Sequence, residues 1–173
     1  MNDLIKGELP YQFKIPTDVD LMRIEYEGRI PKEGTCGPTL IAFLIGKTVK
    51  EVIENWSGLF SSAYRGYCCI EDLEVELHKY DIETIKRKSL ASHDFVFSKD
   101  MTYAIAMIVW DKKWCNYEIP EKNTHFVFMG IIRDELWLYD NTAGWFKPDS
   151  NTGKSYMSHG KIKEILVLDA QVL

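Results

Sequence analysis

The hydrophobic period of this chain changes once, near Tyr80, and that change limits the folds open to it. Before Tyr80 the apolar residues recur at helical spacing. "TVKEVIENW" puts Val49, Val52, Ile53 and Trp56 on an i, i+3, i+4, i+7 stripe, with Thr48 and Glu51 as a capping box at its start. "IEDLEVELHKY" repeats the pattern with Ile70, Leu73, Leu77 and Tyr80. In "TCGPTLIAFLIG" the apolar residues Leu40, Ile41, Phe43, Leu44 and Ile45 cover more than one face, the mark of a helix buried all round, and Gly46 ends it. After Tyr80, "IETIKRK", "TYAIAMIVW", "HFVFMGII", "ELWLYD" and "IKEILVLD" are rich in β-branched and aromatic residues and read as strands. Helices first and strands second predict an α+β protein, its N-terminal helices packed on a C-terminal antiparallel β-sheet.

Residues 1–30 read as an extended lead-in punctuated by Pro10 and Pro16, with Pro31 just beyond and "LMRIEY" as a short strand. No repeat, low-complexity tract or linker divides the chain, and 173 residues at 46% hydrophobic content suffice for a single domain with its own core. A formal charge of −5, without a long basic block, argues against a nucleic-acid partner. The start "MNDLIKGELPYQF" lacks a signal-peptide pattern, and the runs "LIAFLIG" and "YAIAMIVW" are far too short to span a membrane. Cys36, Cys68, Cys69 and Cys115 form no disulfide framework and no C-x-x-C, so the chain reads as reduced and cytoplasmic, with no metal and no cofactor. Its oligomeric state stays open.

Cys36 precedes Gly37 and Pro38. Proline is tolerated in the first helical turn, where its missing N–H has no partner to lose, so Cys36 belongs at a helix start. There the free backbone N–H groups and the positive end of the helix dipole favour a thiolate. Gly37 allows close approach to the sulfur, and the Cys36 N–H is placed to serve an oxyanion. The alternative is a small buried side chain without chemistry, the common fate of a free cysteine.

A thiol nucleophile needs an imidazole, and the imidazole needs an orienting partner. His78 falls on the exposed side of a helix amid Glu76 and Lys79, while His93 and His159 fall in polar loops. His125 alone opens an apolar strand with a return strand behind it. With Arg133-Asp134 as a two-residue turn, Ile132 faces Glu135, Val127 faces Asp140 and His125 faces Thr142. His125 and Asp140 then share a face as diagonal neighbours, roughly 7–8 Å apart at the backbone. A three-residue turn would favour Asn141 instead, so Asp140 is the first choice and Asn141 the reserve.

These residues resemble a known family. "TCGPTLIAFLIGK" is similar to the nucleophile helix of papain-like cysteine peptidases, particularly the bacteriocin-leader (double-glycine) peptidases and related small phage and bacterial proteins. "HFVFMGIIRDELWLYDNTAGW" resembles their His strand, hairpin and Asp-containing turn. The Cys, His, Asp order matches, with 89 residues from Cys36 to His125 (125 − 36) and 15 from His125 to Asp140 (140 − 125). The resemblance covers residues 34–144 and implies a papain-like fold, with Cys36 as nucleophile, His125 as general base and acid, and Asp140 as orienter. Two positions depart from the family. Ile30 stands six residues before the cysteine, where the family places a glutamine as second oxyanion donor, and Gln12 is the sole glutamine upstream. Asp140-Asn141 replaces the usual Asp-Pro.

Two functions follow. The first is a cysteine peptidase or related thiol hydrolase acting on an amide bond of a peptide or protein through an acyl-enzyme. The second is an inactive papain-like binding or regulatory module. Trp56, Trp114 and Trp145 could line a cleft, although core positions explain them more simply.

Overall fold

The computed structural model describes residues 35–58, 63–89, 103–112, 118, 120–132, 134–140 and 144–169. The lead-in with Gln12, "LMRIEY" and Ile30, together with His93, Trp114, Cys115, Asn141 and Thr142, lies outside the described residues.

The protein is α+β. Helices α1 (Cys36–Ile45), α2 (Val49–Glu54) and α3 (Ile70–His78) precede strands β1 (Thr84–Ser89), β2 (Tyr103–Trp110), β3 (Thr124–Ile132), β4 (Glu135–Asp140) and β5 (Gly144–Phe146). A 3-10 turn, Pro120–Asn123, leads into β3. Helix α4 (Asn151–His159) and strand β6 (Gly160–Leu168) follow. The described strands form one open antiparallel sheet in the order β1-β6-β2-β3-β4-β5, so the last strand lies inside the sheet, between β1 and β2.

The starts of α2 and α3 are fixed by local side-chain caps. Thr48 and Glu51 form the expected capping box, with the Thr48 N–H donating to Glu51 Oε2 at 2.8 Å and the Glu51 N–H to Thr48 Oγ1 at 3.2 Å. At α3 the Cys69 N–H donates to Asp72 Oδ2 at 3.0 Å. Helix α1 buries every residue from Cys36 to Leu44, in line with its all-round apolar pattern. It ends at Gly46, whose φ of 66° is the left-handed conformation that glycine adopts without steric cost.

The sheet separates two apolar layers by strand parity. Phe126 and Phe128 of β3 point to the face covered by the helices, where they join Leu40, Phe43, Leu73, Ile105, Tyr139, Trp145 and Leu166. Val127 and Met129 point the other way, to Ala104, Ile108, Leu138, Phe146 and Ile165. Phe43 of α1 is the centre of the helix-side layer. Its ring stacks on Tyr139 at 4.6 Å and meets Phe128 and Trp145 edge-on at 5.4 and 6.1 Å. Trp56 and Trp145 are buried here as core residues.

Two expectations are corrected. The polar stretch around His159 is not a loop but α4, started by Ser150, whose hydroxyl accepts the Gly153 N–H at 3.1 Å. The order is therefore not simply helices and then strands. Glu76 is not on a solvated face. It is fully buried, and its Oε1 accepts the Ser57 N–H and hydroxyl, while Lys79 Nζ lies 3.6 Å from Oε2. The Ser57 donors replace part of the water a buried carboxylate loses, leaving Oε2 to the Lys79 charge without a hydrogen bond, and they tie the turn after α2 to α3.

Candidate active site

The β3–β4 hairpin has the register expected of a two-residue turn: Ile132 opposite Glu135, Gly130 opposite Trp137, Phe128 opposite Tyr139. Asp134 takes a φ of 62°, the left-handed conformation that such a tight connection requires. Continued to the strand ends, this register puts His125 and Asp140 on one face as diagonal neighbours. His125 Nε2 donates directly to Asp140 Oδ2. Asp140 is 2% exposed, so its carboxylate is largely withdrawn from water and relies on this donor.

Cys36 is the first residue of α1, as the Gly-Pro pair requires, and Pro38 falls in the first turn. The packing of Phe43 on Tyr139 and Phe128 seats the helix so that its first residue meets the start of β3. There the Cys36 sulfur hydrogen-bonds to the His125 side chain and accepts from the backbone N–H groups of Phe126 and Gly37. Asp140 occupies Nε2, so the imidazole nitrogen facing the sulfur is Nδ1. His125 thus joins Cys36 of a helix to Asp140 of the neighbouring strand, and its side chain is 17% exposed.

The electrostatics of the three described cysteines differ. Burial pushes the Cys36 thiol up, but the His125 charge, its hydrogen bond and the two backbone N–H groups outweigh this and hold it below the ordinary value of 9.0. Burial pushes Cys68 well above that value, with the negative charges of Cys36 and Asp72 adding to the effect. Cys69 is pushed up to about 12, first by burial. Burial alone would lower His125, yet the Cys36 thiolate and the Asp140 hydrogen bond raise it to about 10. Both shifts favour the thiolate and imidazolium forms of the pair over the neutral ones. That arrangement can supply both a nucleophile and a proton for a leaving group.

Tyr64 lies in the same neighbourhood, and burial, followed by the charges of Cys68, Cys36 and Asp72, keeps its phenol protonated. The sequence reading also missed Trp110, whose indole stacks on the His125 ring at 5.7 Å and 28°. The available signal was its place at the end of the strand preceding the His strand. His78 is exposed and 3.6 Å from Glu83. His159 ends α4, and its backbone oxygen accepts the Asp111 N–H at 2.7 Å. Among the described residues no helix is long and apolar enough to cross a membrane.

No protein-family model matches this chain, and no curated protein sequence matches it significantly.

Proposed function

We propose that the protein is a cysteine peptidase or related thiol hydrolase of papain-like fold, acting on an amide bond of a peptide or protein. The observation that carries this reading is the bridging position of His125, with Asp140 on Nε2 and the Cys36 sulfur on the other nitrogen. A buried helix with cysteine at its first residue, packed on an antiparallel sheet whose hairpin holds the histidine and aspartate, supports the papain-like assignment. Free thiols at Cys36, Cys68 and Cys69 suit a reducing compartment, and the reading assigns the cytoplasm.

In this mechanism the Cys36 thiolate attacks the carbonyl carbon and forms a C–S bond. The imidazolium Nδ1–H passes its proton to the leaving nitrogen as the C–N bond breaks. Neutral Nδ1 then accepts a proton from water as its oxygen attacks the thioester, releasing the acid and restoring the thiolate. Asp140 holds the ring so that Nδ1 faces the sulfur throughout.

An acyl-directed activity probe tests this, with wild type compared against Cys36→Ala and His125→Ala, and a peptide library then defines the substrate. The expected result is covalent labelling at Cys36 that requires His125. A folded wild-type protein whose Cys36 reacts no faster than an ordinary exposed thiol would overturn the reading in favour of a binding module.

A further inference from the structure

We propose that Trp110 is a positioning residue for His125, holding the imidazole in its charged form and fixed orientation through the face of its indole. The inference rests on the Cys36–His125–Asp140 reading and extends it to a strand that contributes no ionisable group to the site.

The placement follows from the sheet. Strand β2 lies between β6 and β3, so its side chains can reach both neighbours. Ile108 pairs with His125, and Trp110, two residues on, shares their face as the diagonal neighbour of the histidine. The rings stack with centroids 5.7 Å apart and an interplanar angle of 28°. On its other side Trp110 pairs with Gly160, the first residue of β6. A Cβ at Gly160 would lie 2.6 and 2.8 Å from Cε3 and Cζ3 of the indole, and 2.5 Å from Ile108 Cγ2. Only glycine leaves room for the indole there. The slot at Gly160 and the stack on His125 are separate observations that fix the same ring.

The negative face of an indole favours a cation over the neutral ring, and the preference strengthens where water is excluded. Among the described residues, the charges acting on His125 come from Cys36 of α1 and Asp140 of β4, while β2 places Ile108 opposite it and Trp110 on its ring. Cys36 and Asp140 engage the two nitrogens in the ring plane. Trp110 contacts the ring from its face, where neither of them acts, and limits the tilt that would carry Nδ1 off the sulfur.

The test follows His125 by NMR of histidine-labelled protein titrated from about pH 5 to about pH 11, in wild type, Trp110→Phe, Trp110→Leu and Gly160→Ala. Trp110→Leu keeps an apolar cover and loses the π face, so its His125 midpoint should fall by about half to one pH unit. Trp110→Phe should retain most of the wild-type value. Gly160→Ala, which displaces the indole without changing it, should behave like Trp110→Leu. Uniform fluorinated tryptophan, which weakens the face at nearly unchanged shape, should lower the midpoint in a protein that folds normally. An unchanged midpoint with fluorinated tryptophan, or in folded Trp110→Leu, would overturn the inference while leaving the triad intact. A wild-type midpoint near the ordinary histidine value would instead remove the triad reading itself.

Discussion

Asp140→Ala removes the carboxylate that accepts the His125 Nε2 proton, in a place that is 2% exposed and where water is a poor substitute. A hydrogen bond to a charged group contributes about 1.5–3 kcal/mol, and one pKa unit corresponds to about 1.36 kcal/mol, so His125 should fall by about one to two units. Its midpoint, raised to about 10 in the intact protein, should then lie at about 8 to 9. Asp140→Asn keeps an acceptor and loses the charge, so its shift should be about half as large. The stability consequence has a definite sign. A histidine raised above its unfolded value of 6.5 contributes stability that is fully present below that value and lost as pH rises through about 10. Cys36 behaves in mirror image: its lowered pKa contributes stability above its unfolded value of 9.0, lost as pH falls through the folded value. Asp140→Ala should therefore lose the histidine contribution one to two pH units earlier on the alkaline side, about where its own midpoint lies. Histidine NMR gives the midpoint, and urea titrations from neutral to alkaline pH give the stability. A His125 midpoint that stays at about 10 in a folded Asp140→Ala protein would refute the reasoning, because the carboxylate would then contribute nothing to the charged ring.

The sulfur should respond to the imidazole in a similar way. His125→Ala leaves Cys36 with the burial that pushes it up and without its main opposing charge, so its pKa should rise. Alkylation at neutral pH should then slow by at least about tenfold, whereas Cys68→Ala should leave the rate near wild type. Gly37→Ala places a Cβ 2.5 Å from Cys68 Sγ and 3.0 Å from Leu73 Cδ2, inside the packed core. It should cost about 1–3 kcal/mol in urea unfolding, and the double variant with Cys68→Ala should recover most of the loss because the clashing sulfur is gone.

The α+β class and the residues brought together in the candidate site were accessible to sequence reasoning for different reasons. The change of period at Tyr80 is a local signal, and it marked out α1, α2, α3 and most of the strands because each element buries one recognisable set of residues. The hairpin register was accessible because a two-residue turn leaves one pairing in which Val127 and Leu138 share an apolar face with His125 and Asp140. The sheet order was not. Nothing local in "IKEILVLD" says that β6 lies between β1 and β2, since that is decided by which edges remain open once the other strands have paired. Helix α4 was hidden by its composition, because Gly153 and two serines are poor helix formers, and its start depends on the Ser150 cap. Glu76 read as a surface residue because its partners, the Ser57 N–H and hydroxyl, lie 19 positions away. Trp110 falls in the same class: its stack on His125 follows from the β2–β3 register and the slot at Gly160, neither of which is written in any one stretch.

The dependence of the site on packing leads to a last expectation. Cys36 comes from a helix, and His125 and Asp140 come from a hairpin, so their meeting is set by how α1 rests on the sheet. Phe43 is fully buried at that contact, and its ring touches Tyr139, the neighbour of Asp140, and Phe128, three residues along the strand from His125. Phe43→Ala should cost about 3–5 kcal/mol, part of it the cavity that the helix can only partly close. Partial closure moves α1 against β3, and a hydrogen bond weakens steeply once its distance and angle are lost. The Cys36 alkylation midpoint should therefore drift up toward the ordinary 9.0, and the His125 midpoint should fall, at urea concentrations below global unfolding. Phe43→Leu, which fills more of the space, should show the same drift in smaller measure. If Phe43→Ala loses the expected stability while both midpoints stay fixed until the protein unfolds, the site is held instead by its local features. Those are the N–H groups of Gly37 and Phe126 on the sulfur and the Asp140 carboxylate on the ring, and the helix packing would then serve the core alone.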